Sequence, residues 1–180
     1  KIKAQIKGYY YDDGKWHDAS ASGAKVQWTV DDVELKLADD GYYHYTFKNL
    51  PTELQDSNGN TYLMGYKVTL DEKSIDKTLK PTLSYQTTTD QDSDLVKRSG
   101  NYALMKKDDY VITAKKLSDT DDKHKGTLKT VGDNTYDLLQ HQNINNYDAG
   151  LTGIETSAIS GQVWIDQNYD GIQNTYEKSL

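Results

Sequence analysis

The last part of the chain contains a twelve-residue segment, 166–177, with oxygen-bearing side chains in the order of a calcium-binding loop. Such a loop places ligands at positions 1, 3, 5, 7, 9 and 12 and glycine at position 6, and Gly171 occupies that position. Because Ca²⁺ prefers six to eight oxygen ligands, the segment predicts a calcium site. The predicted ligands are Asp166, Asn168, Asp170, the carbonyl of Ile172, Asn174 and Glu177.

A second acidic segment contains Asp90, Asp92 and Asp94 at alternate positions. In an extended backbone, alternate side chains point to the same side, so these carboxylates would repel one another without a cation. Asp92 and Asp94 are therefore candidate ligands of a second Ca²⁺. A solvated acidic loop explains the same residues equally well, and both interpretations stay open.

Residues for catalysis are not arranged in a recognisable pattern. The chain has no cysteine, and its four histidines are scattered without zinc-ligand spacing. It contains neither a nucleophile elbow nor a glycine-rich phosphate loop. We therefore predict a protein that is not an enzyme.

The elements that would position these loops are predicted to be strands, because apolar and polar residues alternate with period two. Turn signals separate them at Asp13-Gly14, Asp40-Gly41, Asn58-Gly59, Gly132-Asp133-Asn134 and Asp170-Gly171. The pattern predicts an all-β, antiparallel β-sandwich with long loops. Strands are expected within 2–10, 25–30, 42–48, 66–70 and 159–165, a helical turn or two within 71–79, and a charged loop at 115–125.

The composition limits the possible partners. Hydrophobic residues make up 35% of the chain, and 28 acidic against 21 basic residues give a net charge of −7. This balance disfavours nucleic acid and anionic membrane, which both require basic surfaces, and it favours bound cations. No apolar run is long enough to cross a bilayer. We expect the 180 residues to be a piece of a longer protein.

A weak internal repeat suggests where one module ends. Residues 6–12 and 159–166 both read Ile-x-Gly, then aromatic or apolar residues, then an acid. In this interpretation Asp12-Asp13-Gly14 is a shortened calcium loop. We predict one module at 1–153, followed at 154–180 by a linker and the opening strand and calcium loop of a second module.

Several segments together resemble a known family. Residues 159–173 look like the opening of an SdrD B-type repeat, of the Cna-B-like group in Gram-positive cell-surface adhesins. Residues 40–51 are similar to the group's central hairpin, 65–68 to the next strand, 90–94 to its acidic loop and 145–151 to its closing strand. The first loop, 12–18, departs from the pattern because it lacks the full set of ligands, and the insert at 97–125 is long.

The resemblance implies a transthyretin-like, Ig-like β-sandwich with Ca²⁺ in its loops. It further implies an extracellular stalk or spacer at the cell wall, whose partners are neighbouring modules of the same polypeptide.

Three alternatives remain. The long segment 97–125 and the exposed tyrosines suggest an adhesin domain that recognises a host matrix protein or glycan. The run Tyr9 to Tyr11 with Trp16 could stack on sugar rings, although packing within strands explains it better. An internal isopeptide bond, with Lys25 and Asn145 or Asn146 as partners, would require a buried, neutral lysine.

Overall fold

The computed structural model describes residues 1–82, 95–98, 101–104, 110–118, 123, 126–145, 149, 151–153, 160 and 167. Within these residues the regular structure is almost entirely β, with a single 3-10 turn at Glu72–Ser74. All pairings between the described strands are antiparallel. The predicted all-β, antiparallel class is therefore confirmed.

The strands follow one another at short intervals. They are β1 (Lys3–Asp12), β2 (Lys15–Asp18), β3 (Asp31–Glu34), β4 (Lys36–Leu37), β5 (Tyr43–His44), β6 (Glu53–Gln55), β7 (Thr61–Leu70), β8 (Leu79–Pro81), β9 (Leu95–Arg98), β10 (Asn101–Leu104), β11 (Ala114–Lys116), β12 (Leu128–Val131), β13 (Asn134–His141) and β14 (Leu151–Gly153).

The largest sheet has seven strands in the order β2-β1-β7-β10-β9, with β3 added beside β1 and β6 added beside β7. The main pairing in this sheet joins β1 to β7 and runs from Ala4 opposite Leu70 to Tyr10 opposite Met64. A three-stranded sheet, β11-β13-β12, and two strand pairs, β8-β14 and β4-β5, complete the described structure.

The β1-β2 connection is a two-residue hairpin turn. Asp12 pairs with Lys15, and both residues between them have positive φ angles, 47° at Asp13 and 76° at Gly14. That conformation matches the right-handed twist of the flanking strands, and aspartate followed by glycine is the sequence that adopts it most readily. The predicted turn is confirmed.

Strand β7 contributes to the main core with its even-numbered residues. Tyr62, Met64, Tyr66, Val68 and Leu70 are buried there, as period-two alternation requires. They pack with Ala4, Ile6 and Tyr10 of β1. The phenol of Tyr66, which is fully buried, donates a hydrogen bond of 2.5 Å to the carbonyl of Pro51. The buried hydroxyl therefore has a hydrogen-bond partner, as buried polar groups generally do.

The opposite face of β7 is buried in its middle part, at Leu63 and Gly65. Leu63 is fully buried in a second cluster with Ala114, Tyr136 and Leu138, which come from β11 and β13. The hydroxyl of Thr52 donates a 2.6 Å hydrogen bond to the carbonyl of Leu138. The three-stranded sheet thus packs over the outer face of the large sheet.

Trp16 extends this second cluster along the sheet. Its indole lies directly over Gly65, where a Cβ atom would come within 2.6 Å of two ring carbons. The ring also stacks on Tyr110, with centroids 4.5 Å apart, and meets the edge of Tyr11. Gly65 is therefore required for close approach rather than for an unusual φ angle.

Some predicted strand positions were wrong. Residues 25–30 form no ladder; the strand in this region is β3, which pairs with β1. The alternation there reflects burial alone, since Val26 lies in the core and the ring of Trp28 packs against Tyr66. Of the strand predicted at 42–48, only Tyr43–His44 is a strand. Lys115, which was expected at the start of a charged loop, belongs to strand β11.

Other predictions hold. The turns at Asp40-Gly41, Asn58-Gly59 and Gly132-Asp133 are present, with positive φ at each glycine. The helical segment 71–79 is reduced to the 3-10 turn, in which the Asp71 carboxylate accepts from the backbone N–H of Lys73. Of the predicted strand at 159–165 only Ser160 is described, and the turn at 170–171 lies outside the described residues, as does nearly all of the second module.

Gly65→Ala is expected to lower the free energy of unfolding by about 1–3 kcal/mol, because the new methyl group overlaps the Trp16 ring. Gly153→Ala is the matched control: Gly153 also lies in a strand, and no heavy atom lies within 4 Å of its added Cβ. Urea unfolding monitored by circular dichroism measures both. Equal stability of the two variants would contradict the packing described for Trp16.

Candidate functional site

The predicted calcium ligands cannot be placed. Asp166, Asn168, Asp170, Ile172, Asn174 and Glu177 lie outside the described residues, and so do Asp92 and Asp94 of the second candidate site. Calcium binding by both segments stays a prediction. Among the residues that the structure does describe, no group of three His, Cys, Asp or Glu side chains is close enough to hold a metal ion.

The shortened loop at the first hairpin uses its carboxylate internally. Asp12 accepts a 2.6 Å hydrogen bond from the ammonium of Lys25, and this contact lowers the pKa of Asp12. The same contact raises the pKa of Lys25, whose side chain is 54% exposed. An isopeptide bond would require Lys25 to be buried and neutral, so its environment is the reverse of that requirement. Asn145 is exposed, and Asn146 lies outside the described residues.

The aromatic run of β1 packs within the protein. Tyr10 is buried in the main core, where it stacks on His17 and meets Tyr62 edge-on. Tyr9 and Tyr11 point to the opposite face and are half-buried. Trp16 lies in β2 and is covered by Tyr110 and the Gly65 backbone. The interpretation of these rings as packing residues agrees with their contacts.

Two lysines face each other across the β1-β7 ladder on the outer side of the sheet. Lys7 and Lys67 occupy directly opposite positions, where like charges are destabilising. Lys7 turns to Asp18 and forms a 2.6 Å ion pair with it. Lys67 places its ammonium over the ring of Tyr110, 4.2 Å from the centroid. A carboxylate and an aromatic face thus separate the two charges.

Burial and hydrogen bonding act in opposite directions on the pKa of Asp18. Its partial burial raises its pKa, but the hydrogen bonds from Lys7 and from the hydroxyl and backbone of Ser20 outweigh this, so the pKa is lowered overall. The Lys7 pKa is raised, mainly by the same bond to Asp18. This ion pair therefore stays charged throughout the neutral range.

The Asp39-Asp40-Gly41 turn closes the β4-β5 hairpin, as predicted. The backbone N–H of Tyr42 and the ring of His44 both bond to the Asp40 carboxylate, and they lower its pKa in that order. His17 stacks on Tyr10, His141 is exposed at the end of β13, and His124 lies outside the described residues. The described histidines, His17, His44 and His141, thus lie far apart in the sequence and have different neighbours.

A turn that the sequence analysis treated only as a connection is built around Asp56. Its carboxylate accepts from the backbone N–H groups of Asn58 and Asn60, the side-chain amide of Asn60 and the hydroxyl of Tyr62. An aspartate two residues before Asn58-Gly59 is typical of a side chain that bonds the backbone of a turn, and this is the signal in the sequence that points to Asp56. Its oxygens are occupied by the turn itself, and these bonds lower the pKa of Asp56.

A second missed residue is Asp137, which is fully buried in β13. Its carboxylate accepts hydrogen bonds from the backbone N–H of Leu139 at 3.0 Å and from the side-chain amide of Gln140 at 2.6 Å. Asp137 also raises the pKa of Glu53, after the larger effect of burial. The sequence around it offers no sign of this burial, because an aspartate between Tyr136 and Leu138 fits an exposed strand position equally well.

In the described part of the chain, no helix is long and apolar enough to cross a membrane.

No family model, curated protein or solved structure matches the chain.

Asp56→Ala is expected to lower the melting temperature near neutral pH, because four donors lose their acceptor. The pH dependence of the stability that Asp56 contributes follows from its lowered pKa. Its contribution is present above the ordinary value of 3.8 and is lost as the pH falls through the folded-state pKa. Asp133→Ala, in the exposed turn between β12 and β13, is the matched control. Thermal melts at pH 7 and pH 2.5 measure the difference, which should shrink at the acidic pH.

Proposed function

We propose that the chain is a non-catalytic, calcium-stabilised spacer module of a Gram-positive surface adhesin, with a sandwich of the Cna-B-like type. The two-sided burial of β7 supports this proposal most directly. A ten-residue strand that is held by β1 along one edge and packed on both faces resists bending. A stalk that projects a distal domain from the cell wall needs this stiffness.

The ion pairs and aromatic contacts at the β1-β2 hairpin support the same role. Lys7 of β1 pairs with Asp18 of β2 within the hairpin, and Asp12 at the hairpin turn pairs with Lys25 of the segment that follows β2. The aromatic rings of the hairpin are packed against one another and against Tyr110. These described residues thus make contacts that stabilise the module itself.

Calcium enters the proposal through segment 166–177, which would lie at the start of the next module. A cation bound there would draw together carboxylates that otherwise repel, and it would restrict motion between successive modules. In this role the protein is extracellular, at the cell surface, and its partners are the adjoining modules of the same polypeptide.

Calcium is expected to bind the chain and to stabilise it, and the effect should depend on segment 166–177. With a Kd of about 10⁻³ M, typical of extracellular modules, about 5 mM Ca²⁺ adds roughly 1 kcal/mol of stability. Isothermal titration and melting curves in Ca²⁺ or excess chelator measure binding and stabilisation separately.

The double variant Asp166→Asn, Asp170→Asn should abolish both signals. The control, Asp32→Asn with Asp133→Asn, removes two charges from exposed described positions and should retain them. Wild-type protein that takes up no calcium at millimolar concentration would refute the role proposed for the cation.

A second candidate function is recognition of a host matrix protein or glycan, and the β4-β5 hairpin favours it. Leu37, Tyr42 and Tyr43 are 60%, 71% and 56% exposed, and they lie close together in this short hairpin. Tyrosine is enriched at binding surfaces because its ring offers contact area and its hydroxyl a polar group.

If the hairpin binds such a ligand, Tyr42→Ser with Tyr43→Ser should weaken binding at least about tenfold, since central aromatic contacts contribute more than 1 kcal/mol. Arrays of matrix proteins and glycans identify the ligand, and surface plasmon resonance measures the loss. Leu139→Ser, at a 62% exposed leucine of β13, is the control and should bind normally. Failure of the wild-type chain to bind any array component would favour the spacer role alone.

A further inference from the structure

Asparagine followed directly by glycine occurs once in the chain, at Asn58-Gly59. These two residues lie in the turn between β6 and β7, and both are exposed. A backbone nitrogen can attack the side-chain amide of the asparagine before it, and glycine hinders this attack least because it has no side chain. A Cβ atom added at Gly59 would meet no heavy atom within 4 Å, so no neighbouring group crowds this residue. The pair therefore has the composition and the exposure that deamidation requires.

The reaction passes through a cyclic imide and consumes only water. The Gly59 nitrogen gives its proton to hydroxide and forms a bond to Cγ of Asn58. The bond from Cγ to Nδ2 then breaks, and the leaving group takes a proton from water and departs as ammonia, which restores the hydroxide. Water opens the imide either at Cγ, which leaves aspartate at position 58, or at the main-chain carbon, which leaves isoaspartate with its backbone running through Cβ and Cγ.

The folded turn holds the attacking nitrogen away from this reaction. The N–H of Gly59 donates a 3.0 Å hydrogen bond to the backbone carbonyl of Asp56. The N–H groups of Asn58 and Asn60, on either side of it, both donate at 2.9 Å to one carboxylate oxygen of Asp56. Three successive N–H groups thus point at Asp56. The Gly59 nitrogen cannot lose its proton without breaking its bond in this arrangement.

The charge of Asp56 acts in the same direction. The hydrogen bonds that lower the pKa of this carboxyl group keep it ionised at neutral and alkaline pH. A negative charge opposes the ionisation of a nearby group that must itself become an anion. Deprotonation of the Gly59 nitrogen is therefore disfavoured by the carboxylate as well as by the bond to the Asp56 carbonyl.

The amide that would be attacked is not protected in this way. Asn60 uses its side-chain amide in the turn, where it donates to Asp56 at 2.9 Å. Asn58 contributes its backbone N–H, and among the described residues its side-chain amide has no hydrogen-bond partner. Protection of the pair thus depends on the hold that the turn has on the Gly59 nitrogen.

We propose that Asn58-Gly59 is a deamidation site that the Asp56 turn keeps closed in the folded protein and that reacts only when this turn opens. Local opening of an exposed turn requires less free energy than unfolding of the whole domain, so the site reacts without global unfolding. The fraction of modified chains therefore records how often the turn has opened. This inference is independent of calcium and of the spacer role.

The modification also damages the turn that prevented it. Both products add a second carboxylate to the turn that Asp56 closes, and like charges so close together repel. Isoaspartate lengthens the backbone by one carbon atom, although the ends of the turn are fixed by the pairing of Gln55 with Thr61. A turn that has reacted once therefore closes less well, and the change is not reversed by refolding.

Peptide mapping by mass spectrometry measures the reaction, because deamidation raises the mass of the peptide that contains position 58 by about one dalton. The full chain is incubated at one mildly alkaline pH, either folded or unfolded in guanidinium chloride. The unfolded chain should deamidate at this position many-fold faster than the folded chain, a comparison that needs no variant. Asn58→Ser, which retains the backbone N–H used in the turn, should remove the signal.

Asp56→Ala tests the protecting group, and Gly65→Ala is the matched control. Gly65→Ala destabilises the protein at the Trp16 contact and leaves the turn intact. Circular dichroism establishes a temperature at which both variants are folded, and each folded rate is divided by the rate of the same variant in guanidinium chloride. Asp56→Ala should deamidate several-fold faster than the wild type, and Gly65→Ala should keep the wild-type rate.

Three results would overturn the proposal. Equal rates in the folded and unfolded wild-type chain would show that the turn gives no protection. A wild-type rate in Asp56→Ala would show that Asp56 does not provide it. Equal acceleration in Gly65→Ala and Asp56→Ala would show that overall stability, and not the hydrogen bonds of the turn, sets the rate.

Discussion

The described structure depends on one constraint, the burial of β7 on both faces. Its even-numbered side chains form the main core, and Leu63 and Gly65 on the other face receive the small sheet and the Trp16 ring. With hydrophobic residues at only 35% of the chain, a single-sided core would be small. Using one strand for two clusters gives more burial from few apolar residues, and it brings the Trp16 ring so close to Gly65 that an added Cβ would lie 2.6 Å from two ring carbons.

Many charged side chains of the described residues stabilise turns or pair with a neighbouring group. Short turns are closed by carboxylates, as Asp56 and Asp71 show, so acidic residues stabilise the backbone at the points where it reverses. The two opposed lysines of the central ladder are separated by Asp18 and Tyr110. Asp137 is different, because it is fully buried and its carboxylate accepts hydrogen bonds from the Leu139 backbone and the Gln140 side chain. In the described part of the chain, the acidic side chains thus take part in several separate local arrangements.

Period-two alternation and turn residues were sufficient to predict the antiparallel β class and the turns at Asp13-Gly14 and Asn58-Gly59, since both signals act locally. The strand expected at 25–30 failed because alternation reports burial, and an extended segment can bury Val26 without a ladder partner. The two-sided burial of β7 was not predictable, because it depends on β13, which follows much later in the sequence. For the same reason Asp137 was missed, while the predicted ligands at 166–177 lie outside the described residues.

The β1-β7 pairing also affects how the chain folds. Its partners are separated by roughly sixty residues, so the loop between them must close before any of this ladder can form. Contacts of such high sequence separation are associated with folding in milliseconds to seconds rather than microseconds. During synthesis, β1 leaves the ribosome long before β7 is made, and its apolar residues must wait for that partner. A chaperone that shields this first segment would have its longest opportunity to act during that interval.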